Sequence, residues 1–177
     1  SNGGMSTIRF ERKGDLLNYV YLVVNNGSVT ETVSDWTALI SKVELLVGGQ
    51  VIDDQDSTYS TLIAPTLSAT SSSKAPSGNL FGGSTDSKFY PLRFAFCENW
   101  QSALPLIALQ YHDVELRITW GSTAGDSNRK WDVYAYYACL DTQEREFLAS
   151  QPQNIINTQV QRATASQARI QELNFNR

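Results

Sequence analysis

The stretch RFAFCENWQSALPLIALQYHDVELRI occupies residues 93–118, and its final third alternates apolar with polar side chains. Valine, leucine and isoleucine recur at every second position of 114–118, a pattern typical of a strand with one buried face. His112, the only histidine, continues the apolar side, whereas Asp113 falls on the polar side. We therefore interpret His112 as a strand residue that does not pair with Asp113 in catalysis. Pro105 is expected to fix the start of this strand.

Similar patterns lie on both sides of this stretch. The segments with strand character are STIRFER (6–12), LLNYVYLVV (16–24), KVELLVGGQVID (42–53), KFYPLRFAF (88–96), WDVYAYYACL (131–140) and NIINTQVQ (154–161). The pair Asn26-Gly27 favours a tight turn, and Gly48-Gly49 favours either a hairpin or a bulge. Short strands separated by turn residues predict an all-β sandwich or barrel.

Composition limits the function classes. The 177 residues are 41% hydrophobic and 18% charged, which indicates one folded domain rather than a disordered chain. The net charge of -4 argues against broad capture of nucleic acid, because phosphate binding needs clustered Lys and Arg. No apolar run reaches the length of about 18 to 20 residues that a membrane-spanning helix needs.

The sequence gives little support to catalysis or metal binding. No GxSxG motif surrounds His112, so a serine-type triad is not predicted. Asp53–Asp56 lacks the further ligands of a calcium loop, and we interpret it as a solvated turn. Cys97 and Cys139 lack zinc-site spacing, and we interpret both as buried free thiols. Gly48 to Gln50 also matches the catalytic tripeptide of peptide-release factors, but a turn is preferred. We predict no catalytic residue, metal or cofactor.

One helix is expected near the end of the chain. Asp141 is followed three residues later by Glu144, as in a capping box, and this spacing predicts a short helix near 142–150.

Two features indicate contact surfaces. Tyr134 and Tyr136 occupy the second face of the predicted strand 131–140, which is consistent with a half-buried surface or a partner contact. Residues 56–87 are rich in Ser, Thr, Gly and Ala and predict a long loop. Within it, Leu80 and Phe81 are either an exposed docking point or a pair that folds back onto its own sandwich.

The opening stretch resembles the signature segment of the major capsid proteins of nucleocytoplasmic large DNA viruses. In that family an apolar strand, a short polar turn and a run like ALPLIALQYH follow one another. ERKGDLLNYVYL (11–22), KVELLVGGQVID (42–53) and LDTQEREFLASQPQNIINTQVQ (140–161) resemble the same family in the same order. The signature positions are Gly14, Asp15, Leu16, Gly48, Gly49, Gln50, Ala103, Leu104, Pro105, Leu106, Ile107, Ala108, Leu109, Gln110, Tyr111, His112, Leu140 and Asp141. CENWQS (97–102) departs from the turn more usual in the family.

The resemblance implies a jelly-roll β-sandwich, one of the two jelly rolls of a longer chain. Residues 1–162 would form the first jelly roll without its first strand, and 163–177 a linker and the start of the second. The family also implies homotrimers with a pseudo-hexagonal outline, which tile an icosahedral shell around an internal membrane. The expected partners are neighbouring capsomers and minor capsid proteins, with no direct contact with nucleic acid. The expected location is the virion, after assembly in the host cytoplasm.

Two other function classes stay open on the residues alone. A jelly-roll module that binds carbohydrate or attaches to a host would use the strand Trp131 to Tyr137 for stacking. A β-sandwich enzyme is the weakest alternative, and it would require a catalytic His112.

Overall fold

Two antiparallel sheets enclose one apolar core in the computed structural model, which describes residues 2–67, 87–125 and 128–175. The strands are β1 (Met5–Arg9), β2 (Leu16–Asn26), β3 (Val29–Thr30), β4 (Ile40–Val47), β5 (Gln50–Asp56), β6 (Tyr90–Pro91), β7 (Leu104–Pro105), β8 (Val114–Trp120) and β9 (Arg129–Ala138). The helical segments are 3₁₀ turns at Trp36–Ala38, Ala95–Cys97 and Trp100–Ser102, a π-helical turn at Tyr59–Ile63, α1 (Ala64–Leu67) and α2 (Thr142–Ser150). The all-β prediction is confirmed.

The two sheets differ in how their strands are arranged. One is four-stranded in the order β1-β8-β4-β5, so β5 is an edge strand. In the other, β9 pairs with one side of β2 from Leu16 to Asn26, and the short strands β3, β6 and β7 pair with β2 at separate places. The second sheet therefore depends on β2 as its common member.

A register shift lets β2 bury more apolar side chains than strict alternation allows. Val20, Leu22 and Val24 have no exposed area, as the period-two pattern predicts. Leu17 is equally buried although it lies an odd number of residues before Val20. The pairing with β9 shifts between Leu17 and Val20, and this irregularity turns both side chains toward the core.

The Gly48-Gly49 pair forms a tight hairpin, one of the two predicted alternatives. Val47 pairs with Gln50 across a two-residue turn in which Gly48 and Gly49 have φ values of 59° and 81°. Positive φ at both central residues is the geometry that glycine adopts without steric cost. The turn interpretation of Gly48 to Gln50 is confirmed.

Alternation also holds in β8 and β9. Val114, Leu116, Ile118 and Trp120 are buried, and the residues between them are only partly buried. In β9, Trp131, Val133, Ala135 and Tyr137 pack against the core, whereas Tyr134 and Tyr136 are exposed. The ring centroids of Trp120 and Trp131 lie 4.7 Å apart, so the two strands meet through their indoles.

His112 is not a strand residue, contrary to the prediction. β8 begins only at Val114, and the backbone before it forms successive turns in which Ala108 N donates to Pro105 O and His112 N donates to Leu109 O. The His112 side chain is exposed. Pro105 does not start β8 but ends the two-residue strand β7. The apolar run predicted burial correctly, but its backbone bonds are local.

Several other predictions on local conformation are wrong. Only Tyr90–Pro91 of segment 88–96 is a strand, and segment 154–161 is extended without a sheet partner. Asp53–Asp56 lies within β5 rather than in a solvated turn, and Asp53 is buried. The predicted loop 56–87 begins with helical turns through Leu67, while Leu80 and Phe81 lie outside the described residues. In the ranges described, no helix has the length and apolarity needed to cross a membrane.

We expect Leu116→Ala to lower the free energy of unfolding by about 2–5 kcal/mol, because Leu116 is fully buried in the centre of β8 and its truncation leaves a cavity. Glu115→Ala, one position away on the other face, is the matched control and should change stability by about 0.5 kcal/mol or less. Urea unfolding measures both. Equal losses in the two variants would contradict the assignment of faces.

Candidate assembly surface

The segments that carry the signature residues meet at the start of β2, around Asp15. The carboxylate of Asp15 accepts hydrogen bonds from Leu140 N at 2.8 Å and from the Arg145 guanidinium at 3.1 Å. The backbone hydrogen bond from Leu140 is the main cause of a lowered Asp15 pKa, opposed by burial and assisted by Arg145. A single carboxylate thus connects β2, the end of β9 and helix α2.

Gly14 allows the backbone of this junction to come close to β9. A Cβ atom at Gly14 would lie 2.6 Å from Tyr137 Cβ, a distance that only glycine avoids. Next to it, Asp15 N donates to Ala138 O at 3.0 Å and Ile107 N donates to Asp15 O at 3.3 Å. The signature positions Gly14 to Leu16 are therefore in contact with both the β9 end and the segment 103–112.

The far end of segment 103–112 reaches the β4–β5 hairpin. The Arg12 guanidinium donates to the carbonyls of Leu109 and His112, and Gly48 N donates to Asp113 O at 2.9 Å. A Cβ atom at Gly48 would lie 2.8 Å from His112 Nδ1. The signature residues therefore form one connected set of contacts, whose role in the structure is to join chain segments. Tyr111, 93% exposed, is the outermost of them.

An apolar surface borders this junction, and we name it the α2 shelf. It consists of Leu16, Trp100, Pro105, Phe147, Leu148 and Ile156. One groove, of about 380 Å³, lies between Leu16, Leu140 and the α2 side chains. A second groove continues past Trp100 and Pro105 to Ile156, and Leu16 and Leu148 line both. Phe147 is 62% and Ile156 88% exposed, so this surface has large apolar side chains in contact with solvent.

Aromatic rings cover the outer face of the second sheet. Tyr21 stacks on Tyr134 with ring centroids 5.2 Å apart and an interplanar angle of 12°. Phe89 meets Tyr21 edge-on at 5.4 Å, and Tyr136 lies 6.2 Å from both Tyr19 and Tyr21. Burial raises the pKa of Tyr19 and of Tyr21, so both phenols stay neutral at physiological pH. The predicted tyrosine surface is present, but Trp131 faces the core instead.

The segment that follows α2 lies along the free edge of β5. Gln159 Nε2 donates to Ile52 O at 2.6 Å, Val160 N donates to Asp53 Oδ1 at 3.0 Å, and Arg162 forms an ion pair with Asp56. Burial is the main cause of a raised Asp53 pKa. Because unpaired strand edges attract other strands, this segment also shields β5. Sequence reasoning missed it, since the apolar–polar pattern of 154–161 indicated a strand.

The two cysteines differ in environment. Burial raises the pKa of the Cys97 thiol to about 12, in agreement with the predicted buried thiol. Cys139 is exposed, so that prediction is wrong at the second position. Within the described part of the chain, no group of three or more His, Cys, Asp or Glu side chains is placed to hold a metal ion.

Comparison with known proteins identifies the class of this sandwich. The family model described as the major capsid protein N-terminus matches residues 1–144. The major capsid protein of Pyramimonas orientalis virus is 32% identical over 98% of this chain and 50% of the relative, and that of Paramecium bursaria Chlorella virus 1 is 29% identical over 98% and 47%. The crystal structure of VP54 from PBCV-1, fitted into a reconstruction of the virophage Sputnik, superposes with a TM-score of 0.69 at 28% identity, covering 90% of this chain and 44% of VP54.

The fold is therefore a jelly-roll β-sandwich of the viral capsid type. The chain belongs to the family of major capsid protein N-terminal domains. It spans about half the length of the curated relatives that it matches.

We expect Asp15→Asn to lower the free energy of unfolding at neutral pH by about 1–3 kcal/mol, because charge-assisted hydrogen bonds are lost from a buried group. The folded-state pKa of Asp15 is lowered, so its contribution is present above the unfolded pKa of about 3.9 and is lost as pH falls through the folded value. The difference from the parent protein should disappear in acid. Asp113→Asn, which removes an exposed ion pair with Arg9, should have little effect, and a pH-independent loss at Asp15 would contradict this role.

We expect Asp53→Ala to release the segment after α2 from the edge of β5. The Val160 amide loses its acceptor, and its hydrogen exchange should accelerate about tenfold if the bond contributes about 1.4 kcal/mol. Asp56→Ala removes only the exposed contact with Arg162 and is the control. Unchanged exchange at Val160 in the Asp53 variant would show that other contacts hold the segment.

Proposed function

We propose that this chain is the amino-terminal jelly roll of a major capsid protein that builds an icosahedral virus shell. The observation that carries the proposal is the similarity to proteins named major capsid protein, which extends over 98% of the chain at 32% identity. The structural likeness to VP54, which includes a quasi-atomic model of the PBCV-1 virus capsid, supports it further.

The complete protein would contain two jelly rolls. Relatives about twice as long as this chain leave room for a second domain of similar size. In this proposal residues 1–162 form the first jelly roll and 163–177 lead into the second. Three such chains contain six similar sandwiches, so a threefold trimer would occupy a sixfold position in a lattice.

Assembly would require large contact surfaces on this domain. An obligate trimer interface is expected to exceed about 2,000 Å² and to be apolar at its centre. The α2 shelf and the aromatic face around Tyr21 are the described surfaces with that chemistry. The remaining partners in this proposal are neighbouring capsomers and minor capsid proteins, in a virion whose shell surrounds an internal membrane and is assembled in the host cytoplasm.

A glycan-binding or host-attachment module is the second candidate. The exposed rings of Tyr134 and Tyr136 favour it, because sugars stack on aromatic faces. In this candidate, saturable binding to a glycan array would be lost in Tyr134→Ala and retained in Trp131→Phe, since Trp131 faces the core.

We expect the full-length protein that contains this chain to form a trimer that survives dilution. Multi-angle light scattering across a dilution series measures the mass directly, because an obligate apolar interface should stay closed at low concentration. A mass of three chains at every concentration agrees with the capsomer proposal. A monomer that resists concentration would contradict it and would make the glycan test the next experiment.

A further inference from the structure

Helix α2 lies on the sandwich without burying any of its residues. It has nine residues, from Thr142 to Ser150, and begins at the Asp141 cap, whose side chain accepts a hydrogen bond from Glu144 N. Isolated helices of this length are marginal in water, and most helices in proteins are stabilised by packing of an apolar face. Phe147 is nevertheless 62% exposed. The contacts described for α2 therefore leave its main aromatic side chain without a buried environment.

The exposed surface is continuous rather than a single side chain. Leu16 and Leu148 border both grooves of the α2 shelf, so the groove beside Phe147 runs into the groove beside Trp100 and Pro105. Trp100 is 56% exposed. Two large aromatic residues and several aliphatic ones in one recessed surface have the composition of an obligate interface centre, where Trp, Phe and Leu are common and charge is sparse.

The route of the chain indicates which partner covers the shelf. Ile155 and Ile156 line the second groove, so the polypeptide passes along the shelf before Val160 reaches Asp53. The curated relatives continue for about as many residues again as this chain contains. A domain tethered through a short segment has an effective concentration in the millimolar range, which favours intramolecular docking over capture of another molecule.

We infer that the α2 shelf is the docking surface for the domain that follows residue 177 in the same polypeptide. The inference rests on the proposed function, because it requires a second jelly roll in the full-length protein. Docking would bury Phe147, Trp100 and Ile156 together and would supply the packing that α2 lacks. It assigns the shelf to contact within one chain and leaves the aromatic face around Tyr21 for contacts between chains.

Photo-crosslinking in the full-length protein tests this assignment. The photoreactive residue p-benzoylphenylalanine replaces Phe147 or, as a matched control, Val29, which is 69% exposed and pairs with the opposite end of β2. Isotopically light and heavy chains are mixed before assembly and irradiation. We expect cross-links from position 147 to peptides beyond residue 177, within light–light or heavy–heavy pairs only and well above the yield from position 29.

Three results would overturn the inference. Mixed light–heavy cross-links from position 147 would assign the shelf to a second copy. Absence of cross-links would leave the shelf uncovered, and equal yields from positions 147 and 29 would indicate unspecific capture. Light scattering on the same samples separates this test from the proposed function: a monomer with intrachain cross-links would contradict the trimer and retain the docking surface.

Amide exchange in the full-length protein gives a second readout that does not depend on the photoreactive group. Phe147→Ser should accelerate exchange in α2 about tenfold or more, because truncating a buried aromatic anchor removes at least that factor in stability. Val29→Ser should leave α2 exchange unchanged. Unchanged exchange in the Phe147 variant would mean that Phe147 is exposed in the full-length protein, against the inference.

Discussion

The hydrogen bonds to the carboxylate of Asp15 hold together the part of the sandwich where separate chain segments converge. At this point β2 begins, β9 has just ended and α2 is about to start, and each change of direction leaves backbone donors without a partner in a strand or helix. Leu140 N donates to Asp15, and Arg145 brings the first turns of α2 to the same oxygen. Asp15 N and its carbonyl bond to β9 and to segment 103–112. Without this residue, three segments would lose a common anchor.

The same junction determines which apolar surfaces remain outside. Because Asp15 fixes the start of α2, the helix lies with Phe147 and Leu148 beside Leu16, and the α2 shelf results. On the other sheet face, the alternation of β2 and β9 sends one set of side chains inward and presents Tyr21, Tyr134 and Tyr136 outward. A single sandwich thus carries two apolar or aromatic surfaces besides its core. Such surfaces are characteristic of a subunit that buries them in a larger assembly.

The success of prediction varied with the kind of signal. In β8 and β9 the apolar and polar residues alternate over seven residues or more, and only a strand places one set inside and the other outside. The Gly48-Gly49 hairpin and the Asp141 cap were equally predictable, because their conformations depend on local chemistry. Segment 103–112 was not, since a run of apolar residues indicates burial without specifying the backbone. The turns that place His112 outside become visible only when its local hydrogen bonds are known.

The sequence by itself determined the fold class, the helix at 142–150 and the family, because these depend on periodicity, caps and a long ordered set of motifs. Only the tertiary structure decided which distant residues meet. Asp15 and Arg145 are far apart in the chain, as are Asp53 and Val160, and no local preference links either pair. The physical reason is that strand pairing and side-chain burial are satisfied through long-range contacts, so the position of the α2 shelf and of the segment that covers β5 follows from how the sheets close.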